Sequence, residues 1–531
     1  MSRYNFISLC VAAAGALSTM SACSEAHEPV ITVKDWDANA EYFASPDLNS
    51  FDVYFKPQVG FVGDPMPFYD EKDQQFKIFY LQDFRPNPVA CYHPIYMAAT
   101  KDGASYDCVG QMVGCGGENE QDAAIGTGSV IYNNEDNLYY CFYTGNKYRP
   151  TSAQNAQVVM YATSSDCRTW DKNRVFMLRG NEFGYDRNDF RDPQVFKGDD
   201  GKYHMLVATR KGGKGTIAEF VSSDCRAWTC AGDFMNMQWD RFYECPDVFK
   251  MGDWWYLVYS DQTSFMRMVQ YFKGRTLDEL KDCTKGDAGR WPDAREGKLD
   301  GRAFYAGKTA SDGVNRYVWG WCPTRAGKDN ANVGEKEPEW AGNLVMHRLI
   351  QHEDGRLTLG VPQAIDAKYT TAKTVKIMAT KGNVSGTPEQ VSIAEGAEVI
   401  FNRLERHSKI SFDVKCSTAN DRFAIEFVRG TDPKVDPDTE SWYSVHVNAD
   451  ENKANFEKDG YKACYLLDSQ FTKPADGVFH VTVYTDQSVC VTYINDELSF
   501  TNRIYNLQKN PWGIKAIQGS CTVSNVKVSY F

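Results

Sequence analysis

Acidic residues open three similar short segments of this 531-residue chain. Asp64 lies in Gly-Asp-Pro-Met-Pro-Phe-Tyr, Asp192 in Arg-Asp-Pro-Gln-Val-Phe, and Glu244 in Glu-Cys-Pro-Asp-Val-Phe, and the three segments align on their prolines. Acids at the starts of repeated strands predict carboxyl groups gathered at the axis of a ring of strands. Two carboxyl groups across a sugar-sized gap are what the hydrolysis of a glycosidic bond requires.

An Asp-Cys pair supports the repeat. It recurs at Asp107-Cys108, Asp166-Cys167, Asp224-Cys225 and Asp282-Cys283, in steps of 59, 58 and 58 residues. The segments between the pairs are rich in Tyr, Phe, Val and Trp and are interrupted by Gly, Asn and Asp, which is typical of β-strands. A unit of about 58 residues holds four strands and their turns, the size of one propeller blade.

Five starts of inner strands are predicted, at Asp64, near Gly128, at Asp192, at Cys245 and near Arg302. The fold class is therefore predicted to be all-β, with a five-bladed β-propeller over residues 46–345. After a linker at 346–369, alternating strands without the Asp-Cys pair predict a β-sandwich over 370–531. Trp170 and Trp228 recur with the repeat, which predicts a role in blade packing.

The composition excludes some classes of function. The formal net charge is −12 and no long basic run is present, which argues against nucleic-acid binding. The sixteen cysteines include several at equivalent blade positions, which lie too far apart to pair, so small buried hydrophobic groups are the predicted role. No Cys-x-x-Cys motif or His cluster has the spacing of a zinc site, so neither a metal nor a cofactor is predicted.

The N-terminus has the pattern of a targeting segment. Arg3 precedes an apolar stretch that is too short to span a bilayer, and Leu-Ser-Thr-Met-Ser-Ala leads into Cys23. Small residues before a cysteine resemble a bacterial lipoprotein box. This predicts a signal peptide at 1–22, lipidation of Cys23, a polar tether at 23–45, and an exported lipoprotein of the outer membrane that contacts the membrane only through its lipid.

The motifs together resemble glycoside hydrolase family 32, the family of invertases, inulinases and levanases. The resemblance spans nearly the whole mature chain and includes, one motif per blade, Gly126-Thr-Gly-Ser129, Arg191-Asp192-Pro193, Glu244-Cys245 and Asp300-Gly-Arg-Ala-Phe-Tyr-Ala306. The family fold is a five-bladed propeller followed by a β-sandwich. One departure concerns the nucleophile segment, where Gly63 and Met66 stand in place of two asparagines of the family pattern.

The resemblance implies a role for each acid in a retaining reaction on β-fructosides such as levan, inulin or sucrose. Asp64 is the nucleophile, Glu244 the acid and base, and Asp192 a ligand of ring hydroxyls that favours the charged transition state. Arg191 is expected to keep Asp192 ionised. The substrate-binding residues that it implies are Gln82, Thr127, Arg191, Asp300 and Tyr305.

Alternatives remain for individual residues and for the whole chain. The rings of Tyr305, Trp321 and Trp340 are candidates for sugar platforms or for core packing, and Asp300 is a candidate for a turn. Asp102, Asp166, Asp224 and Asp247 are interpreted as structural. A related arabinan-acting enzyme of the family 43 type is a second hypothesis, which the Glu-Cys and Asp-x-x-x-Phe-Tyr-Ala motifs disfavour. A non-catalytic glycan-binding lipoprotein is the third.

Overall fold

The structure is a computed structural model, and it describes residues 51–84, 93–236, 242–262, 268–284, 296–324, 340–418, 421–427, 443–449, 453–458, 461–466, 474–504 and 510–531. The predicted signal peptide, Cys23 and the tether lie outside these residues. Within them, no helix has the length and apolar character needed to cross a membrane.

The first twenty strands form three four-stranded antiparallel sheets and one eight-stranded sheet, in which the pairing of Val62 with Gly342 joins two further groups of four to each other. We describe the five groups of four as blades. Their bounds are β1 (Phe61–Asp70), β2 (Gln75–Asp83), β3 (Ile95–Thr100) and β4 (Asp107–Val113) in blade 1; β5 (Ala124–Asn133), β6 (Leu138–Asn146), β7 (Gln157–Ser164) and β8 (Asp171–Lys172) in blade 2; β9 (Phe190–Lys197), β10 (Tyr203–Lys211), β11 (Lys214–Ser222) and β12 (Thr229–Asn236) in blade 3; β13 (Tyr243–Met251), β14 (Trp254–Asp261), β15 (Val269–Gly274) and β16 (Glu296–Lys298) in blade 4; and β17 (Tyr305–Ser311), β18 (Arg316–Pro323), β19 (Gly342–Gln351) and β20 (Leu357–Gly360) in blade 5.

Two larger sheets follow the propeller. One contains β21 (Thr371–Lys373), β23 (Val384–Thr387), β24 (Gln390–Ile393), β26 (His407–Cys416), β31 (Val478–Asp486), β32 (Val489–Ile494), β33 (Leu498–Arg503) and β35 (Cys521–Tyr530). The other contains β22 (Ile377–Lys381), β25 (Glu398–Phe401), β27 (Arg422–Phe427), β28 (Tyr443–Asn448), β29 (Lys453–Lys458), β30 (Tyr461–Leu466) and β34 (Trp512–Gln518). The prediction of an all-β propeller with a C-terminal β-sandwich is confirmed.

Helical structure is sparse in the described chain. It consists of α1 (Leu277–Thr284), α2 (Gln363–Asp366) and a 3-10 turn at Gly180–Phe183. Strand β19 continues past the predicted propeller boundary at residue 345, and β20 and α2 fall within the predicted linker 346–369. The end of the propeller therefore passes directly into the second domain.

Apolar side chains between neighbouring blades hold the propeller together. Trp170 of blade 2 packs edge-on against Phe79 of blade 1, with ring centroids 5.6 Å apart, and Trp228 of blade 3 repeats this contact on Phe142 of blade 2. The predicted packing role of both tryptophans is confirmed. Blades 5 and 1 are joined by pairing of β19 with β1 at Gly342 and Val62, which closes the ring.

Only two of the four Asp-Cys pairs occupy equivalent positions in their blades. Asp166 and Asp224 occupy equivalent turns after the third strand of their blades, where each carboxylate accepts hydrogen bonds from two backbone amides. In blade 1 the equivalent residue is Asp102, which bonds the amides of Ala104 and Ser105. Asp107 instead opens β4, and Asp282 lies in α1. The predicted number of blades agrees with the structure although two of the four markers are not equivalent.

The cysteines that the structure describes agree with the predicted role. Eleven are free, and Cys167 and Cys225, which follow the two equivalent turns, are fully buried. Burial raises the pKa of both thiols to about 12. They are neutral, small core residues.

Asp300 lies at the contact between the two domains. Its carboxylate accepts hydrogen bonds from the backbone amide and the hydroxyl of Thr501, at 2.9 and 2.8 Å, and from the hydroxyl of Ser499 at 3.1 Å. His347 Nε2 is 3.3 Å away, and both of these side chains are fully buried. The expected substrate contact of Asp300 is therefore corrected, because strand β33 of the sandwich already occupies its oxygens.

Arg503 makes a second buried polar contact at the same place. Its guanidinium donates to the backbone carbonyls of Pro323 and Cys322, at 2.6 and 2.9 Å, and to Oδ1 of Asn343 at 2.5 Å. Acceptors of the propeller therefore surround a cation of the sandwich. A buried polar group without a partner destabilises the folded protein. These paired contacts therefore fix how the two domains dock.

Replacing Asp300 should destabilise the protein without weakening substrate binding. Asp300→Ala leaves Thr501, Ser499 and His347 without their buried partner, at a cost of about 3 kcal/mol. Thermal melting should show a lower Tm for this variant, with KM unchanged for the folded fraction. Asp171→Ala, on an exposed position of β8, is the control and should melt like the parent protein. A raised KM with an unchanged Tm would instead show that Asp300 binds substrate.

Candidate active site

A β-bulge interrupts the innermost strand of every blade near its start. The register with the second strand shifts between Gly63 and Met66, Gly126 and Gly128, Arg191 and Gln194, Glu244 and Asp247, and Tyr305 and Lys308. A bulge opposes two residues on one strand to one on its partner, so it bends the strand and changes the direction of the side chains around it. Five bulges around one axis direct five sets of side chains toward that axis.

Two of the acids sit in the bulges themselves. Asp64 has φ 28° and Asp192 has φ 59°, and the residues at the same place in blades 4 and 5, Cys245 and Ala306, have φ 52° and 54°. This left-handed conformation is uncommon for residues other than glycine, although Asp tolerates it better than most. Such strain concentrates at functional sites, where the surrounding structure enforces it.

Glu244 lies one residue earlier in its strand than Asp64 and Asp192 do in theirs. Its counterparts, judged by the register, are Gly63, Gly126, Arg191 and Tyr305. Aligning the three segments on their prolines gives the same equivalence, with Glu244 opposite Gly63 and Arg191. The position just before the bulge therefore contributes an acid, a cation and a phenol, and the bulge contributes the other two acids.

Two neighbouring strands hold Asp64 in place. Trp321 Nε1 donates to its Oδ1 at 2.8 Å, and the hydroxyl of Thr127 donates to its backbone carbonyl at 3.0 Å. Burial and the charges of Asp192 and then Glu244 raise the pKa of Asp64 to about 7, against the Trp321 hydrogen bond and the Lys308 charge. Asp64 is therefore close to half-protonated at neutral pH when no substrate is bound.

The carboxylate of Glu244 is held from both sides. Arg191 Nη2 is 3.1 Å from Oε1, and the hydroxyl of Tyr305 donates to Oε2 at 2.8 Å. Asp189 fixes the guanidinium in turn, at 2.5 Å from Nη1. A phenol and a guanidinium in these positions orient the carboxyl group.

Asp192 is buried between blades 2 and 4. Its Oδ2 accepts the backbone amide of Cys245 at 3.0 Å, and its own amide donates to the hydroxyl of Thr144 at 2.9 Å. The charge of Arg191 lowers the pKa of Asp192, as expected, but burial outweighs it and the net direction is upward. The expectation that Arg191 keeps this acid ionised is therefore corrected, and the charge of Glu244 adds to the upward shift.

The other expected substrate ligands have protein partners in this structure. The hydroxyl of Thr127 donates to the backbone carbonyl of Asp64, and the hydroxyl of Tyr305 donates to the carboxylate of Glu244. Gln82 is buried, and its side-chain nitrogen donates to the carbonyl of Val59 at 2.6 Å. Its Oε1 makes no hydrogen bond and is the one acceptor of Gln82 that remains for a ligand.

Trp340 explains the departure at Gly63. A Cβ atom on Gly63 would lie 2.2 Å from Cη2 of the Trp340 ring, so a side chain cannot be added without moving the indole. The ring of His93 packs on Trp340 at 4.2 Å, and Trp321 packs edge-on at 6.5 Å. An aromatic wall thus occupies the space beside the nucleophile segment where the family pattern has an asparagine.

Two contributions to the site are not predicted from the sequence. Trp321 is a candidate for a sugar platform by its residue type, whereas in the structure its indole nitrogen binds Asp64. Lys308 is buried, donates to the carbonyl of Gly128 at 2.5 Å, and lowers the pKa of both Asp64 and Asp192 by its charge. A lysine between Gly307 and Thr309 of a predicted inner strand is the signal that the sequence offers.

Comparison with known proteins identifies the family. The model of the glycosyl hydrolases family 32 N-terminal domain matches residues 54–360. The model described as GH32, BT1760-like, C-terminal domain matches residues 355–528. The two matches meet between the propeller and the sandwich.

Curated relatives carry related names. The chain is 24% identical over 419 residues to a sucrose-6-phosphate hydrolase of Escherichia coli, which covers 73% of this chain and 76% of that protein. It is 26% identical over 308 residues to the β-fructofuranosidase insoluble isoenzyme CWINV2 of Arabidopsis thaliana, covering 52% of this chain and 50% of that protein. The chain thus spans half the length of this plant relative.

Solved structures share the fold over almost the full length. The GH32 β-fructofuranosidase of Bombyx mori superposes with a TM-score of 0.67 at 16% identity, over 94% of this chain and 97% of that one. A variant of fructan 1-exohydrolase IIa from Cichorium intybus in complex with 1-kestose gives 0.68 at 14% identity, over 91% and 97%. With the family models matching from the first blade to the last strand of the sandwich, this chain belongs to glycoside hydrolase family 32.

Proposed function

We propose that the protein hydrolyses β-fructosides, such as levan, inulin, fructo-oligosaccharides or sucrose, by double displacement with retention of configuration. The observation that carries the proposal is the set of three carboxyl groups on three inner strands, with Trp321 bound to Asp64 and with Arg191 and Tyr305 bound to Glu244. Burying three neighbouring acids with fewer cations than carboxyl groups is costly, which is typical of groups kept for chemistry.

In the first step, Asp64 attacks the anomeric carbon of the fructosyl unit. The indole of Trp321 holds Oδ1, which leaves Oδ2 as the attacking atom. Glu244 gives a proton to the leaving oxygen at the same time. Tyr305 and Arg191 stabilise the carboxylate that this proton transfer leaves behind.

In the second step, Glu244 takes a proton from water, and the water displaces Asp64 from the anomeric carbon. Asp192 holds ring hydroxyls and stabilises the positive charge that develops on the sugar in both steps. Its position beside Cys245, the neighbour of Glu244, keeps it close to the acid. Retention requires the carboxyl groups of Asp64 and Glu244 to be about 5 Å apart.

Protonation of the nucleophile sets the pH dependence of the site. Asp64 must be ionised to attack, and its pKa in the free site is raised to about 7. The reactive fraction of the enzyme is therefore expected to grow as the pH rises through about 7.

The names of the relatives support fructosyl substrates for this chain. They include a sucrose-6-phosphate hydrolase, a β-fructofuranosidase and a fructan 6-exohydrolase of Beta vulgaris. The wall formed by Trp340 beside Gly63 changes the polarity near the nucleophile, so the fructoside preferred by this protein is expected to differ from that of relatives with an asparagine at this position.

A product-release screen tests this function. Incubation with sucrose, inulin, levan and arabinan should release fructose or fructo-oligosaccharides from at least one fructan or from sucrose, and nothing from arabinan. Proton NMR during the reaction should show the anomeric configuration retained. Release from arabinan alone would support the family 43 hypothesis, and binding of a fructan without turnover would support the non-catalytic one.

Glu244→Gln should distinguish the role of the proton donor from that of the nucleophile. This variant should lose about 100-fold or more of kcat/KM on natural fructosides but much less on substrates with a good leaving group, which need no proton. On the activated substrate, kcat/KM should rise with pH through about 7, or somewhat lower because one acidic charge is gone, and then level off as Asp64 ionises. Kinetics between pH 4.5 and 8.5 measure both effects.

Two further variants act as controls for that assignment. Asp64→Asn should nearly abolish turnover of both kinds of substrate, because an amide cannot form the covalent intermediate. Asp192→Asn should weaken both kinds about equally, since Asp192 acts on the sugar and not on the leaving group. The same leaving-group dependence in the Glu244 and Asp192 variants, or a profile of Glu244→Gln that is flat from pH 5 to 8, would contradict the separate roles of the three acids.

We further propose that the mature chain begins at Cys23 and is held to the outer membrane by lipid. The support is the run of small residues that ends in Cys23, in a segment outside the described residues. One acyl chain binds a membrane only marginally, so stable anchoring needs more than one.

Cys23→Ala should release the protein from the membrane fraction and abolish labelling with a radioactive fatty acid, because the thiol is the site of attachment. Cys10→Ala removes the other cysteine of the signal segment and should change neither result. Unaltered fractionation and labelling of Cys23→Ala would show that the protein is not a lipoprotein of this type.

A further inference from the structure

A histidine and two aspartates meet at the contact between the N-terminal segment and the sandwich. His407 begins β26, and Asp486 ends β31 directly opposite it in the ladder. Asp52 approaches from the segment before the first blade. One ligand atom of each residue lies within 4.8 Å of the others. The three are widely separated in sequence, so no spacing motif predicts the cluster.

The atoms that face each other are without hydrogen bonds. Nε2 of His407 lies 2.8 Å from Oδ2 of Asp52 and 3.1 Å from Oδ1 of Asp486. Neither approach has hydrogen-bond geometry, and both Nε2 and Oδ1 of Asp486 are buried atoms without a hydrogen-bond partner. Asp486 is fully buried, so its Oδ1 is a buried acceptor directed into the cluster. A buried polar atom in this state calls for an unseen water or ion.

The remaining groups hold the three ligands rigidly. The second oxygen of Asp486 accepts the backbone amides of Asp52, Val53 and Tyr54, at 2.9, 2.7 and 3.0 Å. The ring of His407 stacks on Phe531, with centroids 4.4 Å apart and an interplanar angle of 5°. Asp486 thus has one oxygen fixed by the backbone and the other available, as is usual for a ligating carboxylate whose outer contacts orient it.

The distances between the ligand atoms match those between neighbouring ligands of one metal ion. For metal–ligand bonds of about 2.1 Å, neighbouring ligands stand about 3.0 Å apart at right angles and about 3.4 Å apart in a tetrahedron. The two Nε2–oxygen distances, 2.8 and 3.1 Å, fit the first value. One imidazole with two carboxylates is a donor set for Zn²⁺ or Mn²⁺ and leaves positions for water.

The charges around the cluster permit a cation. Two carboxylates face one histidine, and Arg406 Nη2 is 3.7 Å from Oδ2 of Asp52. Lys368 Nζ is directed to the hydroxyl of Ser105, at 2.8 Å, and to the backbone carbonyl of Asp52. The side chain of Asp52 is 47% exposed, so an ion can enter from solvent.

We propose that Asp52, His407 and Asp486 bind a divalent transition-metal ion that ties the start of the propeller to the sandwich. The site is separate from the three catalytic acids, and its role is structural. Binding of the ion satisfies the two buried atoms and links a surface segment to two strands of the second domain. The ion stabilises the folded chain because the unfolded chain has no preformed site.

Metal content and melting temperature test the proposal together. The purified protein is stripped with a chelator, equilibrated with Zn²⁺ or Mn²⁺, and freed of unbound metal by gel filtration. Elemental analysis should show about one more equivalent of metal in the parent protein than in Asp52→Asn and in His407→Ala. The Tm of the parent should rise by about 3 °C at saturating metal relative to chelator, and this rise should disappear in both variants.

His480→Ala is the matched control. His480 lies on β31 and pairs with Asp413 at 2.6 Å, but it is largely exposed, so its loss should change neither the metal content nor the metal-dependent rise in Tm. Asp52→Asn is isosteric and partly exposed, which keeps the test valid if His407→Ala folds poorly. Equal metal content in the parent and in Asp52→Asn would overturn the site. The site would also be overturned if the Tm of the parent did not respond to metal. The three residues would then form only an ordinary ion-pair cluster.

Discussion

A β-bulge at the same place in five inner strands sets the direction of every polar group at the axis of the propeller. Residues that follow ordinary strand geometry alternate between the two faces of a blade, so their side chains point toward neighbouring blades and not toward the axis. The bulge breaks that alternation and places Asp64 and Asp192 in left-handed backbone. The strain is held by the prolines and glycines that follow it and by hydrogen bonds from neighbouring blades, such as the one from Thr127 to Asp64. The active site is thus a consequence of how the strands are closed into a ring.

The electrostatics of the site follow from that crowding. Three carboxyl groups converge on a region where Arg191 and Lys308 are the main cations, so burial and mutual repulsion raise the pKa of Asp64 and of Asp192. Glu244 differs from them because it stands one residue before its bulge, where a guanidinium and a phenol reach its two oxygens. The same fold therefore gives chemically similar groups different surroundings, which is the condition for separate roles as nucleophile, proton donor and sugar ligand.

Buried polar contacts orient the sandwich on the propeller, beside an apolar cluster in which Tyr484, Val489, Val491 and Tyr493 of the sandwich pack with propeller residues. Asp300 is bound by strand β33, Arg503 is bound by carbonyls at the end of β18, and Asp486 is bound by the amides of residues 52–54. Each contact needs a particular orientation of the two domains, because a buried charge without its partner is costly. A metal ion at Asp52, His407 and Asp486 would act in the same way and at the same contact.

The sequence by itself determined the all-β architecture, the order of propeller and sandwich, the packing role of Trp170 and Trp228, and the acids that gather at the axis. Strand composition and repeated Asp-Pro and Glu-Cys segments are local properties, so they can be read without coordinates. Only the tertiary structure decided that Trp321 binds Asp64 and that Asp300 belongs to the domain contact. Equivalence between blades depends on the register of each bulge, and contacts such as those of Asp300 join residues about 200 positions apart, which short-range patterns cannot encode.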